Sequence, residues 1–221
     1  MTEQSLQQVH DEPRHLLIDR PVPVFSARST HGDISLQDYR GQWLILFAHP
    51  ADFTPVCTSE FIALQRNVVE FEKRGCALLG LSVDSIYSHV AWIRNIKEKF
   101  GVEISFPVIE DISMAISSAY GMLDQNSQST STIRAVFFID PEGVLRAKIF
   151  YPMQVGRSIS EIIRTLSALQ ESELHQSTAP EGWQPGDQLV PMAPTTIDGA
   201  NSVAAIPERT EWYYTETKTL N

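Results

Sequence analysis

Cys57 stands in the run His49-Pro50-Ala51-Asp52-Phe53-Thr54-Pro55-Val56-Cys57-Thr58-Ser59-Glu60, where an apolar stretch, Trp43 to Ala48, breaks at a proline and a helical pattern begins. With Thr54 as N-cap and Pro55 at the first helical position, the thiol falls at the third. There it meets backbone N–H groups that precede the first intrahelical bond, and the positive end of the helix dipole. Both features favour thiolate over thiol, and such cysteines ionise below the free value of about 8.5. The spacing therefore points to nucleophilic sulfur chemistry. The Thr54 hydroxyl is suited equally to capping the helix and to touching a substrate. Cys76, the second of the chain's two cysteines, opens an apolar segment with no charged or helix-start setting and reads as a small hydrophobe. There is no C-x-x-C, so neither a structural disulfide framework nor a disulfide oxidoreductase is expected.

The elements that must position this thiol are marked by periodicity. Trp43–Ala48 is a continuous apolar run, the pattern of a strand covered on both faces. The helix after Cys57 carries Phe61, Leu64, Val68 and Phe71 at spacings of three and four and stops at Gly75. Cys76–Val83 predicts a second buried strand, and Asp84-Ser85 caps a helix bearing Val90, Ile93 and Ile96. Phe106–Ile109 predicts a third strand, and Asp111 opens a helix closing at Gly121. Arg134–Ile139 and Val144–Phe150 flank Asp140-Pro141-Glu142-Gly143, a turn sequence, and so form a hairpin. Ser158 caps a further helix with Ile162, Ile163, Leu166 and Leu169 on its apolar stripe. Upstream, Pro21–Phe25 reads as extended, and His31-Gly32-Asp33 as a turn.

The fold class is α/β with a mixed central sheet flanked by helices. Three parts follow: a polar leader at 1–16, a core domain at 17–171, and an extension at 172–221. In the extension prolines gather at 180, 185, 191, 194 and 207. Trp183, Leu189, Val190, Ile206, Trp212, Tyr213 and Tyr214 make it too apolar for a free linker, and it is expected to pack on a partner subunit.

Composition excludes several function classes. Of 221 residues 43% are hydrophobic and 20% charged, and the formal net charge is −10. Without a basic cluster, neither nucleic acid nor an anionic membrane surface is an expected partner. No apolar run approaches the roughly 18 residues of a membrane span. Met1–His10 has neither a basic start nor an apolar core, so no signal peptide is read and the cytoplasm is the default location. The histidines, His10, His15, His31, His49, His89 and His175, are not paired at helical spacing, and no metal or cofactor is expected.

The pattern Pro50-x-x-x-Thr54-x-x-Cys57 after an apolar strand, with Arg134 entering a later strand, resembles the peroxiredoxins. The likeness continues through Asp84-Ser85, His89, Trp92, the Gly156-Arg157 step after Tyr151-Pro152, and Trp183-Gln184-Pro185-Gly186-Asp187. It is similar to the one-cysteine, peroxiredoxin 6-like branch over roughly residues 17–195. The resemblance implies a thioredoxin-like fold with a small C-terminal appendage, in which 17–171 is a peroxidase domain reducing hydrogen peroxide and organic hydroperoxides. It implies Cys57 as nucleophile, Thr54 and Arg134 as substrate and charge-stabilising groups, and Pro50 as the pocket wall that limits water. His49 as a substrate contact, Glu60 as an orienter of an arginine and Arg157 as a second cation are carried over with them. The tail holds no cysteine, so an external thiol, whether glutathione, a thioredoxin-like protein or a small dithiol, must reduce the sulfenate. A homodimer or decamer is expected. Some relatives carry a Gly-x-Ser-x-Gly lipase motif before the first core strand; here that place reads Gly41-Gln42-Trp43-Leu44-Ile45, without a serine. A peroxide sensor or holdase on the same fold is the alternative reading. A Cys–His hydrolase built on His49 and Cys57 lacks an orienting third group.

Overall fold

Six consecutive apolar residues, Trp43–Ala48, form a strand in which every residue is buried, as in a strand with neighbours on both edges and cover on both faces. The computed structural model describes residues 16–123, 130–206 and 211–214. Most of the expected leader, residues 1–15, and Pro207 lie outside the described residues. In chain order the elements are β1 (Ser26–Ser29), β2 (Gly32–Ser35), a 3-10 turn at Leu36–Tyr39, β3 (Trp43–Ala48), α1 (Pro55–Arg66), α2 (Val68–Glu72), β4 (Cys76–Ser82), α3 (Ile86–Phe100), β5 (Val108–Glu110), α4 (Ala115–Ala119), β6 (Arg134–Ile139) and β7 (Leu145–Tyr151). After these come α5 (Ile159–His175), the two-residue strands β8 (Ser177–Thr178) and β9 (Val190–Pro191), and α6 (Ile197–Ala204).

A seven-stranded sheet runs β2-β1-β5-β4-β3-β6-β7. β3, β4 and β5 are parallel neighbours, while β6 runs antiparallel to β3 and β7 antiparallel to β6. This is the mixed α/β sheet read from the sequence. Its polarity decides where the chemistry lies: the carboxyl ends of three parallel strands and the amino end of β6 share one edge. Phe47 of β3 pairs with Val136 of β6, so Arg134, two residues earlier, arrives where β3 gives way to the His49–Thr54 loop. The core between the sheet and its cover includes Leu44, Leu46, Leu79, Leu81, Ile109, Phe137 and Tyr120.

Several boundaries differ from the periodicity. The helix read as continuous to Gly75 breaks at Asn67, whose φ is −108° and ψ 8°, and resumes as α2. The helix assigned from Asp111 begins at Ala115. Met114 takes a left-handed conformation, φ 58°, and the Asp111 carboxylate accepts from the amides of Ile116 and Ser117, capping from a distance. α6, eight residues with no buried side chain, lies in a stretch that shows no long periodic segment in the sequence. Two compact units form, Met1–Arg157 and Ser158–Asn221. Their boundary falls in front of α5, whereas composition changes only at residue 172. In the second unit Trp183 is buried, donates from Nε1 to the Asp187 carbonyl at 3.1 Å, and accepts at its own carbonyl from Arg164. No helix among the described residues is long and apolar enough to cross a membrane.

Candidate active site

Thr54 is the N-cap of α1 with Pro55 at the first position, so Cys57 occupies the third, as the spacing requires. Pro55 brings no amide hydrogen, and the first i→i−4 bond is Thr58 N–H to Thr54 O at 3.0 Å. The amides of Val56 and Cys57 therefore precede the helical ladder. The hydroxyl of Thr54 does not cap, contrary to one of its two expected uses. It donates to the Ala51 carbonyl at 2.8 Å and closes a tight turn in which Phe53 has φ +54°.

Cys57 is fully buried, yet its sulfur is not in a purely apolar setting. Arg134 Nη1 lies 3.3 Å from Sγ, while the same nitrogen donates to Glu60 Oε2 at 2.9 Å and Nε donates to the Met153 carbonyl at 3.0 Å. Arg134 and Cys57, 77 residues apart, are thus in contact. Glu60 accepts at Oε1 from the Arg157 backbone N–H (2.7 Å) and Nε (3.0 Å), and at Oε2 from Arg157 Nη2 (2.7 Å). Arg157 Nη1 donates to the carbonyls of Ala48 (2.8 Å) and Ala135 (3.0 Å), at the junction of β3 and β6. Its guanidinium lies over the Phe47 ring. Burial pushes the Glu60 carboxyl up, but the hydrogen bonds and charge of Arg157, with the charge of Arg134, outweigh it and hold Glu60 below its ordinary value. The hydrogen bonds of Arg157 thus run to Glu60 and to main chain. A Cβ on Gly156 would meet Val56 Cγ1 at 3.2 Å, so this step admits little more than hydrogen against the first turn of α1.

Pro50 is buried at the end of β3. His49, read as a substrate contact, is also fully buried. Its Nε2 faces Asp52 Oδ1 at 2.9 Å, and its ring packs on Phe61 and Trp92 with centroids 4.9 and 5.2 Å away. Burial pushes the His49 imidazole down, and the upward pull of Asp52 does not offset it. His89, from α3, meets the same carboxylate. His49, Asp52 and His89 place ligand-type atoms within 4.8 Å of one another, a cluster that helical spacing could not disclose because the partners come from different elements. Those atoms are spent on one another as hydrogen bonds. Asp52 and Thr58 carry no signal of their own in the sequence, and His89 and Trp92 enter it only as points of resemblance. Cys76 is buried at the start of β4, and burial pushes its thiol up to about 12.

Residues 18–148 match the model of the AhpC/TSA family. A peroxiredoxin of Aquifex aeolicus is 44% identical over 213 residues, covering 91% of this chain and 96% of that one. Among solved structures, a yeast mitochondrial 1-Cys peroxiredoxin superposes with a TM-score of 0.77 at 38% identity, covering 85% of this chain and 92% of that one. Its thiol is described as resolved via glutathione/thioredoxin systems. A peroxiredoxin 6 of Arenicola marina gives 0.79 at 31% identity, covering 93% and 99%.

Proposed function

Since the chain belongs to the AhpC/TSA family, the peroxiredoxins, whose reaction is thiol-dependent reduction of peroxides, we infer that Cys57 performs that reaction by a one-cysteine route. The observation that carries this reading is the contact of Arg134 with the sulfur at a helix start, 3.3 Å from guanidinium to Sγ. The Cys57 thiolate attacks the distal oxygen of a hydroperoxide in line with the O–O bond. An S–O bond forms, the O–O bond breaks, sulfur is oxidised to the sulfenic acid, and the alkoxide or hydroxide leaves and takes a proton. Thr54 and the amides of the first turn hold the peroxide, and Arg134 offsets the charge that moves from sulfur to the departing oxygen. Pro50 walls the pocket. Glu60 orients Arg134, and Arg157 acts on the sulfur only by holding Glu60.

Two molecules of an external thiol return the sulfenic acid to thiol, with water and a disulfide of the reductant as products. The 1-Cys yeast relative supports glutathione or a thioredoxin-type protein in this role. On this reading the peroxidase domain is 17–171, the extension from 172 packs on a partner subunit, and the chain works as a homodimer or larger ring in the cytoplasm. The exposed Trp212, Tyr213 and Tyr214 favour that use of the tail.

Purified protein with dithiothreitol is expected to consume hydrogen peroxide continuously, and Cys57→Ser to abolish turnover. Mass spectrometry after one equivalent of peroxide is expected to show a gain of one oxygen on Cys57. Turnover persisting in Cys57→Ser would sink the reading.

A further inference from the structure

The loop that carries Pro50 and Thr54 rests on a carboxylate that the peroxidase reaction does not use. Asp52 is buried, and both its oxygens face imidazoles: Oδ1 lies 2.9 Å from His49 Nε2 and 3.1 Å from His89 Nδ1, and Oδ2 lies 2.8 Å from His89 Nδ1. His89, fully buried, has its other nitrogen, Nε2, 3.1 Å from the Ile109 carbonyl of β5. A carbonyl only accepts, so that nitrogen carries a hydrogen. An ionised Asp52 also only accepts, so Nδ1 carries one too. Burial pushes the Asp52 carboxyl up, but the hydrogen bonds and charges of the two histidines outweigh it and hold it well below the usual carboxylate range. His49 then needs one proton, at Nε2, and its buried Nδ1 has no hydrogen-bond partner.

Resting on the peroxidase reading above, we propose that Asp52 and a doubly protonated His89 form a buried ion pair that positions the Pro50–Thr54 loop, and with it the peroxide-holding hydroxyl of Thr54, over Cys57.

The pair is one part of a complete clamp on this loop. His49 N–H donates to the Leu81 carbonyl, and its own carbonyl accepts from Thr132 Oγ1 at 2.8 Å. Asp52 N–H donates to Asp84 Oδ2 at 3.1 Å, and Asp84 in turn accepts from Ser82 Oγ. Thr58 Oγ1 donates to the Thr54 carbonyl at 2.7 Å and accepts from Trp92 Nε1 at 3.2 Å. The nearby acids are otherwise engaged, Asp84 as just described and Glu110 with Arg28 and the Ile86 amide. Asp52 is the one carboxylate hydrogen-bonded to His89 among the described residues. A buried ion pair of this kind is a weak source of stability. Its use lies in fixing one geometry for a turn whose Phe53 sits at positive φ, because small misplacements of a substrate-orienting group cost large factors in rate.

Asp52→Asn keeps the shape but turns one acceptor into a donor facing an N–H. Two reactions of the same thiol separate positioning from damage. Oxidation of Cys57 by hydrogen peroxide needs Thr54 in place and is expected to slow about 10- to 100-fold. Alkylation of Cys57 by iodoacetamide needs only the sulfur and is expected to change less than about twofold. His89→Gln, which keeps one donor towards Asp52, is read the same way if the asparagine variant does not fold. Side-chain nitrogen NMR of the wild-type protein at neutral pH is expected to show both ring nitrogens of His89 protonated, and one of His49. Wild-type oxidation rates in a folded variant, a parallel loss of both reactions, or a single ring proton on His89 would each overturn the proposal. A wild-type protein that does not react with peroxide at all would instead overturn the peroxidase reading, and the NMR result would still decide the ion pair.

Discussion

Two buried carboxylates bracket Cys57 in the sequence, Asp52 five residues before it and Glu60 three after, and they hold opposite kinds of partner. Glu60 is gripped by Arg134 and Arg157, cations at any pH a protein survives, and one of them reaches the sulfur. Asp52 is gripped by two imidazoles, one from its own loop and one from α3. On the proposed reading, charge at the sulfur comes from one guanidinium, Arg134, and the geometry of the loop from a carboxylate held by two imidazoles. Removing one partner should therefore affect chemistry on the Glu60 side and loop order on the Asp52 side.

The largest break is expected at Arg134→Met, which keeps the length of the side chain but withdraws the positive charge from both sulfur and leaving oxygen. Peroxide consumption should fall about 10²- to 10³-fold, measured as the second-order rate of Cys57 oxidation. Arg134→Lys should recover only part, because an ammonium cannot serve Sγ, Glu60 and the Met153 carbonyl at once from one planar fork. A loss at Arg134 no greater than that at Asp52 would erase the distinction between the two carboxylates.

Glu60→Gln comes next and tests stability first. It leaves two guanidinium groups buried beside a neutral amide, and breaking a buried pair in this way costs about 3–5 kcal/mol. Denaturant melts should show that loss directly. Arg157, which keeps its hydrogen bonds to the Ala48 and Ala135 carbonyls and its place over the Phe47 ring, should still hold β3 against β6, so the folded fraction should retain its sheet by far-ultraviolet circular dichroism.

Acid separates the two sides by sign. A carboxyl held below its ordinary value, as Glu60 and Asp52 both are, contributes stability that is present above about pH 4 and lost as the pH falls through the folded value. His49, pushed down chiefly by burial, likewise prefers to be unprotonated when folded. Its contribution is complete above about pH 6.5 and declines as acid protonates the unfolded chain. Stability should therefore fall in two stages, the first setting in below about pH 6.5, before the carboxylates titrate, with a slope of at most about 1.4 kcal/mol per pH unit for one proton. His49→Gln should remove the first stage and leave the part of the second that Glu60 carries. A single transition below about pH 4 in the wild type would show that the histidine side carries no pH dependence of its own.

The same contrast explains what could be read in advance. β3 was legible because six apolar residues in a row average over every neighbour, and the place of Cys57 because Thr-Pro fixes a helix start locally. Arg134 was legible as part of a known pattern, though its contact with the thiol spans 77 residues. The His89–Asp52 contact was not, since two polar residues 37 positions apart meet only because β3, β4 and β5 are parallel and deliver their carboxyl ends to one edge. His49 and Arg157 were legible as residues of the site, but which atoms they would touch depended on Asp52 and Glu60 reaching them first. The delayed start of α4 escaped periodicity for a like reason, because Asp111 satisfies amides five and six residues ahead of it.

The smallest effect is expected at Cys76, which lies in neither carboxylate's reach. Its thiol is buried beside the Ala77 carbonyl at 3.5 Å and pushed up to about 12 by burial, so it stays a thiol at neutral pH and is neither nucleophile nor good partner for a sulfenic acid. Cys76→Ser should leave peroxide consumption with dithiothreitol unchanged and cost about 1–3 kcal/mol, the expense of placing a hydroxyl where a small apolar group packs. Titration of the folded wild type with an aromatic disulfide should modify Cys57 alone, and Cys76 should react only after denaturant is added. An intermolecular Cys57–Cys76 disulfide accumulating under peroxide would contradict this, and with it the requirement for an external thiol.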